Sequence, residues 1–279
     1  MALISVDTLR RRMVRPAGLV VCDVRYSLGA AAAGRRAYEQ AHLPGAVFVD
    51  LHDDLADEHR AGGRHPLPTT RAFADTLERL GIAPTTSVVA YDAAGGTFAA
   101  RLWWMLRAVG HGDVAVLDGG FPAWVATAGE VTTEVPVHPR TRYPVPDTWP
   151  GVVDAEGVVE ALAQGRTVVD CRAPERFRGE VEPLDPRAGH IPGAINLFQG
   201  ANLNADGRHR PEDELRRRFD WLDGAQRPVF YCGSGVSACH NLLVMHTLGL
   251  PNAGEAQLYA GSWSDWCSEP GRPVATGDA

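Results

Sequence analysis

The sequence predicts an α/β fold in which each of two similar domains is an open, mostly parallel sheet flanked by helices. Short Val-rich runs such as "VVCDVR" and "SVVAYD" end in a polar residue, as is typical of buried parallel strands. Segments with helical spacing separate them, and in "TTRAFADTLERLGI" Phe73, Leu77 and Leu80 recur before Gly81. Strands that alternate with helices indicate an open α/β sheet.

A repeat within the chain indicates two such domains. Four landmarks recur in the same order, about 140 to 148 residues apart. They are "VVCDVR" and "VVDCR", "AHLPGAVF" and "GHIPGAIN", "SVVAYDAAGG" and "PVFYCGSGVS", and "LDGGFPAW" and "LYAGSWSDW". The Pro-rich "PRTRYPVPDTWPG" between the copies interrupts regular structure. We therefore expect domains at 1–138 and 152–279, joined by a linker at 139–151.

The bulk composition narrows the function classes. The chain has 279 residues, a formal net charge of −7 and no apolar run of membrane-spanning length. The acidic balance argues against a nucleic-acid-binding face, and the start of the chain resembles no secretory signal, so we expect a cytoplasmic protein. Its five cysteines are scattered without a CxxC pair, which predicts neither a disulfide framework nor a metal site.

The stretch "YCGSGVSACH" is the strongest candidate site. Cys232 comes at the carboxyl end of a predicted strand, where ligands bind in open α/β sheets, and Asp92 occupies the matching place in the first half. The small residues that follow allow main-chain amides to form an anion-binding nest, and a helix is expected to begin at its end. Such surroundings favour a thiolate and would also hold a persulfide. The loop residues expected to bind substrate are Gly233, Gly235, Val236, Ser237 and Ala238.

This stretch has two alternative interpretations. A cysteine-dependent phosphatase needs an arginine six places after the thiol, and that place is Ala238, which excludes it. A purely structural interpretation, in which Cys232 ends a strand and the glycines form a turn, stays open from the pattern alone.

These motifs resemble those of the tandem-domain rhodanese-type sulfurtransferases over nearly the whole chain. "HIPGA" after a "DxR" is moderately specific, whereas "CGSGVS" followed by "GSWSDW" is more specific and similar to the 3-mercaptopyruvate branch. The resemblance implies two tandem rhodanese-like domains, of which the first is catalytically silent and the second uses Cys232. It implies a small-molecule sulfur donor, a thiol, cyanide or thioredoxin-like acceptor, and no cofactor.

The resemblance also implies roles for individual residues. Arg176 matches the family's substrate-carboxylate arginine, whereas Leu184 stands where a second arginine is usual, with Arg187 nearby as a substitute. Ser234 and His65 match a proton relay. The acid of that relay departs from the family pattern, because His52 occupies its position, with Asp53 beside it and Asp50 two residues before it.

The sulfur donor and the reaction type each have an alternative. Gly233 and Ser234 carry no charge, which favours a monoanionic thiol acid such as 3-mercaptopyruvate over thiosulfate. The rivals are a thiosulfate:cyanide sulfurtransferase and a sulfur-relay or binding module that serves a protein partner.

Asp170 is expected to form a structural ion pair with Arg172, and Asp23 is expected to form the equivalent pair with Arg25 in the first half. The effect of Ala260, where relatives often have Asp, could not be predicted.

Overall fold

The computed structural model describes residues 1–14, 16–30 and 32–278, and these form two compact units. The first unit consists of Met1–Asp57, Pro68–Pro150 and Leu203–His209. The second consists of Glu58–Leu67, Gly151–Asn202 and Arg210–Ala279. Neither unit is therefore a simple half of the chain, because each includes a short segment from the other half of the sequence.

The first unit contains a five-stranded parallel sheet with strand order β1-β5-β4-β2-β3. Its strands are β1 (Leu3–Ile4), β2 (Leu19–Asp23), β3 (Ala46–Phe48), β4 (Ser87–Tyr91) and β5 (Val114–Leu117). Its helices are α1 (Val6–Met13), α2 (Ala32–Gln40), α3 (Thr70–Arg79), α4 (Ala99–Ala108) and α5 (Gly120–Ala126).

The second unit repeats this topology with strand order β6-β10-β9-β7-β8, again all parallel. Its strands are β6 (Val152–Val153), β7 (Val168–Asp170), β8 (Ile195–Asn196), β9 (Val229–Tyr231) and β10 (Gln257–Tyr259). Its α-helices are α6 (Ala155–Ala163), α7 (Pro174–Phe177), α8 (Glu212–Phe219), α9 (Ala238–Thr247) and α10 (Ser262–Trp266). Short 3₁₀ turns follow at Gln199–Asn202 and Asp220–Leu222.

Local sequence explains where the helices begin and end. Thr69 accepts a hydrogen bond from the amide of Ala72 at the start of α3, and Gly81 adopts a φ of +76° just after its end. Asp154 caps α6 through the amide of Gly157 in the same way. The predicted α/β architecture is confirmed in both units. No helix in the described ranges is long and apolar enough to cross a membrane.

A buried ion pair at the carboxyl end of β2 and of β7 ties each "DxR" segment to the residue just before the following His-Leu-Pro-Gly or His-Ile-Pro-Gly turn. The guanidinium of Arg172 donates to the carboxylate of Asp170 at 2.6 Å and to the Gly189 carbonyl at 2.6 Å. In the first unit Arg25 binds Asp23 at 2.6 Å and the carbonyl of Ala41 at 2.6 Å. The duplication of this arrangement confirms that these pairs are structural.

Candidate active site

Cys232 follows β9 directly, and its backbone is held by the turn that leads into α10. Its side chain is buried, with 1% of the residue exposed. Its amide donates to the hydroxyl of Ser262 at 3.1 Å, and its carbonyl accepts from the amide of Trp263 at 3.0 Å. Ser262 has a φ of +56°, in the left-handed region that residues other than glycine rarely adopt. Sequence reasoning did not find this residue, and no pattern in the chain predicts such a backbone angle for a serine.

The small residues after Cys232 are required by close backbone contacts. Gly235 has a φ of +76°, and a Cβ atom there would overlap the carbonyl oxygen of Ala260. The carbonyl of Gly233 accepts from the amide of Ser264 at 3.0 Å. The chain then enters α9 at Ala238. The loop 233–238 is thus one tight turn that ends at a helix N-terminus.

Ser234 and His65 are brought together as a hydrogen-bonded pair. The Nδ1 atom of His65 lies 2.8 Å from the hydroxyl oxygen of Ser234. The two residues are 6% and 8% exposed, so solvent competes little for this bond. His65 belongs to the segment Glu58–Leu67 of the second unit, although it precedes Ser234 by 169 residues in the chain.

Two arginines flank the residue that follows the thiol. A Cβ atom at Gly233 would lie 2.9 Å from Nη2 of Arg64 and 3.4 Å from Nη1 of Arg176. Arg176 was expected at the site, whereas Arg64 was not. The signal that could have found Arg64 is a second repeat in the sequence, because Gly-Arg-His occurs both at 63–65 and at 207–209.

Buried carboxylates orient both guanidinium groups. Arg176 donates from Nη2 to Glu182 at 2.6 Å and to Asp185 at 3.2 Å. Arg64 pairs with the other carboxylate oxygen of Asp185 through Nη1. Burial raises the pKa of Asp185, and the neighbouring Arg64 opposes that shift. The two acids therefore hold the arginines in place without covering the atoms that face Gly233.

The structure places the other predicted clamp residue elsewhere. The guanidinium of Arg187 donates to the main-chain carbonyls of Glu269 at 3.3 Å and Arg272 at 3.0 Å. Leu184 is 42% exposed. Because Arg187 stabilises the C-terminal segment, Arg64 rather than Arg187 is the second arginine beside the loop.

The candidate acids of the relay lie in the first unit. The Nε2 atom of His52 is 3.0 Å from the hydroxyl of Tyr26, and the amides of His52 and Asp53 donate to a carboxylate oxygen of Asp50. These bonds assign Asp50 to the local turn. Which of His52 and Asp53 completes the relay stays a prediction.

Cys171, Trp263 and Trp266 are buried side chains of the second unit. Burial raises the pKa of Cys171 well above its ordinary value, which keeps that thiol protonated and inert. Trp263 and Trp266 are fully buried, and their indole N–H groups donate to the carbonyls of Arg187 and Pro273. Within the part of the chain that the structure describes, no cluster of His, Cys, Asp or Glu could hold a metal ion.

The matching loop of the first unit demonstrates what this backbone can hold. One carboxylate oxygen of Asp92 accepts from the amides of Ala94 at 2.8 Å and Gly96 at 2.9 Å. The other accepts from the amides of Phe98 at 2.8 Å and Ala99 at 3.0 Å. Burial raises the pKa of Asp92, and these four hydrogen bonds oppose that shift. A loop of this design is therefore a nest for one anionic side chain.

Comparison with known proteins gives one consistent family. The rhodanese-like domain family matches residues 5–127 and 154–269. The chain is 44% identical to a probable 3-mercaptopyruvate sulfurtransferase of Pseudomonas aeruginosa, over 99% of this chain and 98% of the relative. It is 42% identical to the putative thiosulfate sulfurtransferase SseB of Mycobacterium tuberculosis, over 93% and 91% of the two chains.

A solved structure gives the same assignment. The 3-mercaptopyruvate sulfurtransferase from Leishmania major superposes with a TM-score of 0.83 at 31% identity, covering 96% of this chain and 74% of that one. The names of these relatives include two different sulfur donors. The fold, the duplicated domain match and the full-length identity together show that this chain belongs to the rhodanese family, with two rhodanese-like domains in tandem.

Proposed function

We propose that this protein is a sulfurtransferase that moves sulfur from 3-mercaptopyruvate to a thiol or cyanide through a persulfide on Cys232. The observation that carries the choice of donor is the 2.8 Å hydrogen bond between Ser234 and His65. Transfer from mercaptopyruvate leaves a carbanion that must be protonated, whereas transfer from thiosulfate releases sulfite, which leaves as a stable anion. A buried hydroxyl backed by an imidazole is useful only in the first reaction.

The first half-reaction forms the persulfide. The Cys232 thiolate attacks the sulfur of mercaptopyruvate, so that an S–S bond forms and the C–S bond breaks. The electron pair of the broken bond stays on carbon as the enolate of pyruvate. The Ser234 hydroxyl protonates that carbon and is reprotonated by His65, which takes up the proton that the donor's thiol group loses as the new persulfide ionises. Pyruvate then leaves.

The second half-reaction returns the enzyme to its starting state. An acceptor thiolate or cyanide attacks the outer sulfur of the persulfide, the S–S bond breaks, and Cys232 regains its negative charge. The outer sulfur of the persulfide is itself an anion, which the loop that precedes α9 would hold as the Asp92 loop holds a carboxylate. No step requires a metal or an organic cofactor.

The state of the cysteines bears on the cellular compartment. All five cysteines are unpaired thiols, as in a reducing compartment, and we propose the cytoplasm.

Arg64 and Arg176 place positive charge beside Gly233. This charge suits a carboxylate and would also accept thiosulfate. Thiosulfate is therefore the alternative donor, and a thioredoxin-like protein is a candidate acceptor.

Intact mass spectrometry tests the proposal. After incubation with mercaptopyruvate and no acceptor, we expect the protein to gain the mass of one sulfur atom. Cys232→Ser should gain none, whereas Cys239→Ser, which removes a second buried thiol seven residues along, should gain it fully. Sulfur uptake by Cys232→Ser would refute the mechanism. A higher kcat/KM for thiosulfate than for mercaptopyruvate would replace the donor.

A further inference from the structure

We infer that Arg64 supplies the second guanidinium of a two-arginine clamp for the carboxylate of the sulfur donor. The inference rests on the proposed function and names how the same site recognises its substrate. The resemblance leaves Leu184 where a second arginine is usual, and Arg187 is committed to the carbonyls of Glu269 and Arg272. The site would therefore have a single guanidinium without Arg64.

Free donor groups face the loop from both arginines. Among the described residues, the side-chain hydrogen bonds of Arg64 use Nη1, and those of Arg176 use Nε and Nη2. The atoms nearest to Gly233 are the other ones, Nη2 of Arg64 and Nη1 of Arg176. Two N–H-bearing nitrogens from separate guanidiniums thus converge beside the residue that follows the nucleophile. A planar carboxylate is the anion that such a pair binds with one oxygen each.

The backbone of Arg64 is fixed to the same turn as the nucleophile. Its amide donates to the hydroxyl of Ser264 at 3.1 Å, and the amide of Ser264 donates to the carbonyl of Gly233 at 3.0 Å. Gly63 has a φ of +89°, and a Cβ atom there would overlap the carbonyl of Gly261. The segment that contains Arg64 is therefore seated closely on residues 261–264, which explains how a residue so far along the chain reaches a fixed position.

The acids beneath the arginines set the charge of the clamp. Asp185 binds both guanidiniums, and Glu182 binds Arg176 and the buried Arg172. Because the pairs already balance most of the positive charge, the clamp favours a monoanion over a dianion. A keto acid carboxylate has the geometry and the charge that this arrangement selects.

The test measures carboxylate binding separately from turnover. Pyruvate, the expected product, is titrated by NMR into Cys232→Ser protein with and without Arg64→Ala. Loss of one charge-assisted pair should weaken pyruvate binding by roughly 10- to 100-fold. In protein that retains Cys232, Arg64→Ala should raise KM for mercaptopyruvate by a similar factor and change kcat by less than about threefold.

Arg208→Ala is the matched control, because it removes the arginine of the second Gly-Arg-His triplet, which lies beside Gly119 in the first unit. It should leave KM unchanged. Arg64→Lys keeps the charge and the aliphatic stem for the case in which the alanine variant does not fold, and it should still weaken pyruvate binding several-fold.

Unchanged pyruvate binding in both Arg64 variants would overturn the inference, as would a fall in kcat with no change in KM. Neither result would contradict the persulfide mechanism of the proposed function, which fails if Cys232→Ser still accepts sulfur.

Discussion

The loop after β4 and the loop after β9 leave their strands in the same way but present different side chains and then differ in backbone. Gly95 and Gly235 both have a positive φ, whereas Gly96 has a φ of +90° and its counterpart Val236 does not adopt a positive φ. In both loops, the carbonyl of the residue that follows the strand accepts a hydrogen bond from an amide at the start of a helix. The carbonyl of Asp92 accepts from the amide of Phe121 at 2.8 Å, and the carbonyl of Cys232 accepts from the amide of Trp263 at 3.0 Å. The first loop holds a carboxylate with four amides, and the second presents a thiol. The same strand-to-helix connection therefore presents an amide-bound carboxylate in one unit and a buried thiol in the other.

The segments that lie on each loop extend this comparison. Gly-Arg-His at 63–65 lies on the second unit, where His65 binds Ser234. Gly-Arg-His at 207–209 lies on the first, where the amide and Nδ1 of His209 both lie 2.9 Å from Asp118. The position aligned with Asp118 is Ala260, which offers no carboxylate. The same triplet is thus anchored by an acid in one unit and engages the serine beside the thiol in the other.

The largest expected effect comes from giving the second loop the side chain of the first. Cys232→Asp should abolish sulfur transfer, with turnover falling on the order of 10⁴-fold or more because the nucleophile is gone. The fold should tolerate the change, since a carboxylate at this position can accept the loop amides as Asp92 does. Turnover with mercaptopyruvate and the melting temperature check both expectations.

Cys232→Ala is the control for that experiment. If Cys232→Asp melts at a much lower temperature than Cys232→Ala, the amides of the second loop are not arranged like those around Asp92. That result would contradict the proposed similarity of the two loops.

The next effect separates the proton relay from the cradle. Ser234→Ala copies Ala94 of the first loop, and it should lower kcat for mercaptopyruvate by about 10²- to 10⁴-fold because the carbanion loses its proton donor. Turnover of thiosulfate should stay within a few-fold, since sulfite needs no proton to leave. Steady-state kinetics with the two donors measures both.

The two histidines supply the matched pair for this prediction. His65→Gln should reproduce the Ser234→Ala profile, whereas His209→Gln, at the equivalent triplet, should leave kcat within about twofold. An equal loss of thiosulfate turnover in Ser234→Ala would show that Ser234 shapes the loop instead of donating a proton.

A smaller effect concerns the turn that supports each loop. Ser262 and Gly120 have nearly the same φ, +56° and +55°, but only Ser262 carries a hydroxyl, which accepts from the Cys232 amide. Ser262→Ala should cost about 1 to 3 kcal/mol of unfolding free energy because it leaves that buried amide without its acceptor. Ser262→Gly should cost about 1 kcal/mol less, since glycine adopts positive φ freely.

Gly120→Ala is the counterpart in the first unit. A Cβ atom there would overlap the carbonyl oxygen of Asp92, so we expect a loss of about 2 kcal/mol or more by urea denaturation. A neutral Gly120→Ala would contradict the steric account of why one turn needs glycine and the other does not.

These comparisons also show what the sequence could and could not predict. Strand and helix patterns predict both sheets, and the position of Cys232 after a strand predicts the loop, because those features depend on local periodicity. Arg64 was missed, and Arg187, which was expected as a substitute for the second arginine, donates instead to the carbonyls of Glu269 and Arg272. The repeated Gly-Arg-His triplet marks Arg64 in the sequence, but it does not place that residue beside residue 233. Such a contact depends on how the segment 58–67 packs on the second unit, which only three-dimensional structure provides.

The smallest predicted effect is a pH dependence that belongs to the first unit. The ring of His111 is buried between the Tyr143 hydroxyl at 2.8 Å and the Thr86 carbonyl at 2.9 Å, and the aligned residue of the second unit is Leu250. Burial lowers the pKa of His111, although the nearby Asp113 opposes this and Arg107 adds to it. The unfolded chain therefore takes up a proton near pH 6.5 that the folded unit resists.

Stability that is complete above about pH 6.5 should consequently decline as the pH falls, by at most about 1.4 kcal/mol for each pH unit. His111→Leu removes the titrating group and should flatten this slope, while lowering stability at neutral pH because the carbonyl of Thr86 loses a partner. Hydrogen exchange of the α4 amides locates the effect, since α4 ends just before His111. A slope that survives in His111→Leu would assign the pH dependence to another group. Asp54 is not that group, because burial raises its pKa, so its ionisation destabilises the fold as the pH rises.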